Sequence, residues 1–311
     1  MHISTCPLCH SDELTFWFKT PHSRVERCPS CGLGMLNPQP DDATLEGIYD
    51  STYFIGSNNE RLRAQGNALK RGTARLQLDT IAEFLNTDST EKKHPKLLEI
   101  GCGLGNFLYV ADQAGFDVQG IDVSQSAVQH ANDALGKPCA QAGLLEDMNL
   151  PQGGYDIVVL ADVIEHVRDP KAFLAHVQTL VKPGGIIFMA APSLDSFTAR
   201  LMGRYWIEFK LEHLFYFNRK TLSQLLRTTG FEDIRITAGH KILSFDYIVG
   251  HFVQFPVPVM SPLVRLVNWV LPTKLTKRPL TIVASGINAV ARKPLDAQDA
   301  RHVSGAMPEN S

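Results

Sequence analysis

Four cysteines with the spacing of a metal site open the chain, as Cys6-Pro-Leu-Cys9 and Cys28-Pro-Ser-Cys31. Two C-x-x-C pairs separated by about eighteen residues match a four-cysteine zinc ribbon, in which four thiolates satisfy tetrahedral zinc and leave no open position for catalysis. The expected metal is therefore structural, bound by Cys6, Cys9, Cys28 and Cys31. A module of this size has too small a core to fold alone, so metal binding would supply much of its folding free energy. A redox dithiol would instead need C-x-x-C at a helix start in a thioredoxin-like βαβ unit, and neither knuckle has that setting.

A second chemical pattern is the run KLLEIGCGLGNFLYVADQAGFDVQGID, from Lys96 to Asp122. A short apolar strand ends in Gly101, Gly103 and Gly105, and a helix-period segment (Phe107, Leu108, Val110, Ala111) follows at once. Glycines there allow positive φ and close approach of a ligand, and the amides at the helix start suit an anionic group. The next strand ends in Asp122, whose carboxylate can accept from both hydroxyls of a ribose. The spacing is G-x-G-x-G and Glu99 stands just before it, which excludes a simple dinucleotide fingerprint. LLEIGCGLG and GIDVS resemble the cofactor motifs of class I S-adenosylmethionine (SAM) methyltransferases, over Lys96 to about Lys293. The resemblance implies a Rossmann-like α/β sheet, with Glu99 and the Gly101, Gly103, Gly105 loop at the amino acid end of SAM and Asp122 at its ribose. Many such enzymes carry an Asp near the position of Gly143 to meet the adenine amine. This chain lacks it, so adenine selection falls to backbone groups and Leu144 or Leu145.

Two constellations could carry the reaction. After the apolar strand Tyr155–Leu160 comes Asp162-Val-Ile-Glu165-His166, at the carboxyl edge where open α/β sheets bind ligands. In a helix, Asp162, Glu165 and His166 would share a face. That resembles the acidic, acidic, histidine triplet by which ubiquinone-pathway O-methyltransferases and small-RNA ribose methyltransferases hold a divalent ion; the bland alternative is that Glu165 and His166 only shape the pocket. The other constellation is WIEFKLEHLFYF, Trp206–Phe217. Methyl transfer to a hydroxyl needs an aligned nucleophile and a proton acceptor, and histidine is the side chain suited to that near neutral pH. His213 is the expected base, with His166 its competitor and a packed, structural histidine the alternative for His213.

These groups must be held by alternating strands and helices. Helices are expected from Ser124 to about Leu135, from Asp169-Pro170, and from Asn218 to Gly230. Lys137–Ala142 is expected as a weak strand, Lys182–Gly185 as a turn, and Ile186–Ala190, Phe231–Ala238 and Thr281–Arg292 as further strands. The fold class is α/β: a Rossmann-like class I methyltransferase sheet with an N-terminal four-cysteine zinc ribbon. The expected division is a ribbon over 1–40, a helical linker over 41–95 with an amphipathic helix from Arg61 to Leu85, a catalytic domain over 96–295, and a disordered tail over 296–311. Within the linker, an aromatic patch is expected near Tyr49–Phe54, a polar loop at Gly56–Asn59 and a polar run at Asn86–His94.

Composition limits the partners. The 311 residues carry 30 basic and 32 acidic side chains, a net charge of −2, and 44% hydrophobic residues, enough for one substantial core. There is no global basic field for nucleic acid. The ribbon balances Lys19, Arg24 and Arg27 with Asp12, Glu13 and Glu26, which argues against the alternative of an rRNA base methyltransferase reading RNA through its ribbon. No apolar h-region follows Met1, and paired cysteines suit a reducing compartment, so the expectation is cytoplasmic. Ribbon, glycine motif, EHV and EHLFYF together resemble bacterial zinc-ribbon SAM methyltransferases of secondary-metabolite and cell-envelope clusters. That implies an oxygen or carbon acceptor on a small molecule, sugar or lipid-linked precursor, with a catalytically inactive SAM-binding protein as the remaining class. An insertion at about 241–280 is largely apolar, and from 247 to 295 there is no acidic residue while Arg265, Lys274, Lys277, Arg278, Arg292 and Lys293 are basic. Pro256, Pro258 and Pro262 argue against a spanning helix there. A peripheral contact with the inner face of an anionic membrane, a lid over the pocket and a dimer contact are the readings of this stretch.

Overall fold

The computed structural model describes residues 1–20, 23–48, 60–85, 94–254, 256–258 and 260–296. The expected aromatic patch at 49–54, the polar loop at 56–59, the linker at 86–93 and the tail at 297–311 lie outside these residues.

Five apolar runs form a parallel sheet: β4 (Lys96–Ile100), β5 (Asp117–Asp122), β6 (Ala140–Ala142), β7 (Tyr155–Ala161) and β8 (Val181–Pro192). Two antiparallel strands extend it, β10 (Glu232–Leu243) and β11 (Leu280–Arg292), giving the order β10-β11-β8-β7-β4-β5-β6. The parallel strands are largely apolar because both faces are covered, while the edge strand β10 keeps a polar alternation. On one face, α2 (Glu60–Leu85), α3 (Asn106–Gln113) and α4 (Gln125–Leu135) pack Ile81, Phe84, Phe107, Leu108 and Val128 over Leu97, Ile157, Val159 and Phe188. On the other, α5 (Pro170–Leu180) and α7 (Arg219–Thr228) bring Leu174, Val177, Leu222 and Leu225 onto Leu98, Val158, Leu160 and Ile187. Truncating any one of these buried leucines to alanine would cost about 2–5 kcal/mol. The helices start where their caps require. Ser124, Asp169 and Asn218 each accept a first-turn amide, and Asn218 with Thr221 forms a reciprocal capping box.

The ribbon does not stand apart. Its β1 (Thr15–Lys19), β2 (Arg24–Arg27) and β3 (Gly34–Leu36) form an antiparallel sheet whose fourth strand is β9 (Phe215–Tyr216), contributed by the WIEFKLEHLFYF segment. Gly34 pairs with Tyr216 and Met35 with Phe215. Cys6, Leu8, Cys28, Cys31, Leu33 and Met35 share one apolar cluster with Leu160, Ile164, Leu174, Leu214 and Phe217. A short helix, α1 (Asp42–Ile48), follows the ribbon. Strands β8, β10 and β11 run longer than expected. The expected Lys182–Gly185 turn lies within β8, and β10 continues past Ala238 to pair Lys241 with Ile282. Between β10 and β11 stand α8 (Phe245–Gln254), α9 (Met260–Val270) and α10 (Thr273–Thr276).

Candidate active site

The glycine loop is shaped by two positions that exclude a side chain. A Cβ on Gly101 would sit 2.5 Å from the Cγ2 of Val163, and one on Gly105 would sit 2.7 Å from the Cβ of Ala131; both have positive φ, 75° and 70°. The Ile121 carbonyl accepts from the Gly101 and Cys102 amides (2.8 and 3.0 Å), which folds the loop onto the end of β5. There Asp122 accepts from Gly103 N–H (2.8 Å) and Ser124 N–H (2.9 Å), and burial pushes its carboxyl up. Glu99 is 4% exposed, and its Oε2 has no hydrogen-bond partner among the described residues. Burial, then the neighbouring Asp122 charge, hold its carboxyl well above the usual carboxylate range. Of the two leucines expected beside adenine, Leu145 is turned into the core, which removes it as a contact, and Leu144 is exposed.

Val163, which touches Gly101, leads into the second constellation. The expected helical face is not formed. Asp162 takes a left-handed backbone (φ 55°), and Ile164–His166 is a single tight 3-10 turn closed by His166 N–H to the Val163 carbonyl (2.9 Å). Asp162 is thereby turned aside, and its carboxylate lies 3.3 Å from Lys241 Nζ. The third partner of Glu165 and His166 is His213. A Glu165 oxygen and one nitrogen from each ring lie within 4.8 Å of one another, and the rings meet edge to face with centroids 4.8 Å apart. His166 Nδ1–H donates to the Glu212 carbonyl (2.9 Å) and His213 Nδ1–H to the Glu208 carbonyl (2.8 Å). A carbonyl only accepts, so each ring carries its proton on Nδ1 and its lone pair on Nε2. Burial pushes His166 down to about 4 and His213 well below its ordinary value, so both are neutral near pH 7. Glu165 is 2% exposed, with neither oxygen hydrogen-bonded among the described residues; burial and then Asp162 raise it.

This cluster is braced by the ribbon. Leu214 N–H donates to the Glu165 carbonyl (2.8 Å), and the Leu214 carbonyl accepts from Leu36 N–H (3.0 Å), so one residue links the turn to β3. Arg168 donates to Asp42, to the Pro40 carbonyl (2.9 Å) and to Gln39 Oε1 (3.3 Å), clamping the ribbon's last residues beside His166. Sequence reasoning missed Lys241 and Arg168. Neither belongs to a local pattern, because their partners stand 79 and 126 residues away. In the ribbon, Cys6 and Cys31 sulfurs lie 3.6 Å apart, and Cys9 and Cys28 sulfurs 3.5 Å apart. All four are free thiols within 4.8 Å of one another. The Cys31 thiol donates toward Cys6 and lowers it to about 5, while Cys31 itself is raised.

Residues 69–236 match the family described as "Methyltransferase domain". A ubiquinone biosynthesis O-methyltransferase of Bordetella avium is 32% identical over 119 residues, 36% of this chain and 49% of that protein. A probable S-adenosylmethionine-dependent methyltransferase of Mycolicibacterium smegmatis is 29% identical over 136 residues, 44% of this chain and 51% of that protein. The chain thus spans about half the length of the curated relatives it matches. Among solved structures, a phosphoethanolamine N-methyltransferase 2 of Haemonchus contortus in complex with S-adenosyl-L-methionine shares the fold, with a TM-score of 0.53 at 14% identity over 90% of this chain and 71% of that one.

Proposed function

This chain belongs to the methyltransferase-domain family as a class I SAM-dependent enzyme, and from that premise we propose that its acceptor is an oxygen or carbon of a small molecule, sugar or lipid-linked precursor. The observation that carries this reading is the contact between the glycine loop and the acid-histidine cluster: Gly101 abuts Val163, the residue from which the Glu165-His166 turn begins.

The residues fit SAM. Glu99 Oε2 is a buried acceptor with no partner among the described residues, suited to the cationic amino group of the methionine end. Gly101 and Gly103 follow it with bare backbone, and the Asp122 carboxylate would hold the ribose hydroxyls. When bound, SAM supplies a methyl group on an already activated sulfonium. The chain must therefore orient the acceptor, exclude water and take up the acceptor's proton. His213 is neutral and carries its proton on Nδ1, so an acceptor hydroxyl can give its proton to the Nε2 of this ring, with neutral His166 packed against it edge to face. This favours oxygen over carbon as the reacting atom.

A second reading keeps the same residues and adds an ion. Glu165, His166 and His213 bring a carboxyl oxygen and one nitrogen of each imidazole within 4.8 Å of one another, a set of two histidines and one carboxylate that would suit a divalent cation once Glu165 has given up its proton. Asp162, the sequence's candidate ligand, is engaged by Lys241 instead. In the ribbon, sulfur separations of 3.5–3.6 Å are close to the ~3.8 Å between sulfurs bonded at ~2.3 Å to a tetrahedral zinc, so the four cysteines fit one structural zinc.

The test is transfer of labelled methyl from SAM to small-molecule, glycan, lipid and rRNA fractions of a strain lacking the gene. Label in a glycan, lipid or small-molecule fraction, lost with His213→Gln, is the expected result. Label in rRNA alone overturns the acceptor class, and SAM binding without label in any fraction overturns the enzyme. Turnover that withstands a chelator while the ribbon zinc stays bound excludes the ion at Glu165.

A further inference from the structure

The helices between β10 and β11 wear their amphipathic pattern inside out. In α9, Leu263, Leu266, Val267 and Val270 recur at i, i+3, i+4 and i+7, the spacing of a helix face that is normally buried, yet all four are exposed. The opposite side supplies the packing residues Ser261 and Val264. Trp269, at the edge of the stripe, is 84% exposed. α6 (Phe197–Met202) shares a cluster with Met260, the first residue of α9, and repeats the arrangement: Ala199 and Met202 pack with Val257, Phe252 and Met260, while Phe197 (73% exposed) and Leu201 are exposed. Leu275, on α10, adds a further exposed apolar side chain.

From Phe197 to Trp206 and from Tyr247 to Leu295 every charged side chain is basic. Arg200, Arg204, Arg265, Lys274, Lys277 and Arg278 are exposed, and from 247 to 295 the chain contains no acidic residue. An apolar stripe with a cationic rim has two requirements, an apolar phase and a source of negative charge. A second copy of this chain meets only the first, because an isologous contact would set the cations against themselves. A nucleic acid backbone meets only the second, leaving the aliphatic stripe without a partner. The headgroup layer of an anionic bilayer meets both. No helix among the described residues is long and apolar enough to cross a membrane, which leaves an in-plane contact.

We propose that α6, α9 and α10 form a surface that seats this protein on anionic lipid, with the Leu263, Leu266, Val267, Val270 stripe and Trp269 in the interface and the surrounding cations on the headgroups. This is independent of the acceptor's identity.

The experiment uses the full chain, with and without vesicles of phosphatidylcholine alone or mixed with phosphatidylglycerol. Expected are co-sedimentation with the mixed vesicles at low salt, at least a several-fold loss of binding at high salt, and quenching of Trp269 by lipids brominated on the acyl chain. Leu266→Ser with Val270→Ser, and separately Lys274→Glu with Lys277→Glu, should each weaken binding by about tenfold or more while SAM affinity is unchanged. These side chains are exposed, so the substitutions leave the core intact. A chain that stays in the supernatant with both vesicle types at low salt overturns the proposal. So does binding that neither double variant weakens. A concentration-dependent dimer dissolved by Leu266→Ser with Val270→Ser, without lipid binding, would assign the face to a second copy and overturn it equally.

Discussion

The two halves of the active site are built by opposite strategies. The donor half, Glu99 through Asp122, comes from one unbroken strand-loop-helix-strand, and the hydrogen bonds that shape its loop, from the Gly101 and Cys102 amides to Ile121 and from the Gly103 and Ser124 amides to Asp122, close within that unit or its immediate flank. The acceptor half joins Glu165 and His166 to His213, and what holds them together is a strand pairing with a module at the other end of the chain. None of these loop-shaping hydrogen bonds of the local half involves a ribbon residue. The assembled half depends on β9 remaining in the ribbon sheet, on Leu214 bridging Glu165 and Leu36, and on Arg168 gripping Asp42. A separation of donor binding from turnover is the consequence, and it can be attacked from either side.

The largest effect belongs to the acceptor half. His213→Gln keeps the ring's approximate volume but removes its proton acceptor, so turnover should fall by roughly 10²–10⁴-fold, the range for loss of a positioned base. SAM affinity, measured by calorimetry, should stay within about twofold, since any larger shift would mean that the two halves are not separable. Retained turnover would return His213 to a packing role.

Next comes the ribbon. Cys6→Ser with Cys31→Ser removes two of the four thiols that a zinc would need, and the ribbon strands lose the metal's contribution to folding. Displacement of His213 by as little as about 1 Å is enough to cost on the order of 10²-fold in turnover. SAM affinity should again be nearly unchanged. Parallel loss of SAM binding and turnover would show that the ribbon supports the whole sheet, and elemental analysis finding no metal in wild-type protein purified without chelators would remove the zinc.

The same contrast explains what could be read from sequence. The strand, glycine loop and helix around Gly101 and Gly105 were legible because local sterics fix them: the loop leaves no room for a Cβ, and the apolar runs around it have strand length. The caps at Ser124, Asp169 and Asn218 were legible for the same reason. The acceptor cluster was only half legible. His213 and Glu165 can be named as chemical groups from sequence, but the triplet Asp162, Glu165, His166 rests on a helix that the left-handed backbone of Asp162 breaks. Nothing in a two-residue strand such as β9 announces its partner, and the aromatic run Leu214–Phe217 reads as a pocket cover as well as it does a buried strand. Long-range pairing, unlike a glycine turn, leaves no mark on neighbouring residues.

On the donor side, Asp122→Ala should weaken SAM binding by roughly 10–100-fold, corresponding to about 1.5–3 kcal/mol for hydrogen bonds to a charged group. Part of that loss belongs to the loop, since Asp122 also accepts from Gly103 and Ser124. Asp122→Asn, which keeps an acceptor oxygen, should fall between the two. Unchanged affinity in Asp122→Ala would remove the ribose from this residue and with it the donor half as drawn.

The smallest effect is the most specific test of the local half, and it concerns a single proton. Glu99 is buried beside Asp122, and without a cation its carboxyl is held well above its ordinary value of 4.5. The unfolded chain therefore binds fewer protons than the folded one at pH values between these two, and the stability contributed by Glu99, present below 4.5, is lost as pH rises toward the folded value. A ligand ammonium placed on Glu99 Oε2 reverses the preference, because it stabilises the carboxylate and lowers that value again. Binding SAM should then expel a fraction of a proton, up to about one, and affinity should rise with pH by at most about tenfold per unit across the window. Calorimetry in two buffers of different ionisation enthalpy reads the proton count directly. Glu99→Gln should abolish the release, weaken SAM binding and, at neutral pH, raise the melting temperature of the ligand-free chain. Wild-type binding with no proton exchanged at a pH inside that window would mean that the ammonium does not meet Glu99, and the methionine end of the donor would have to be held by the backbone of the glycine loop alone.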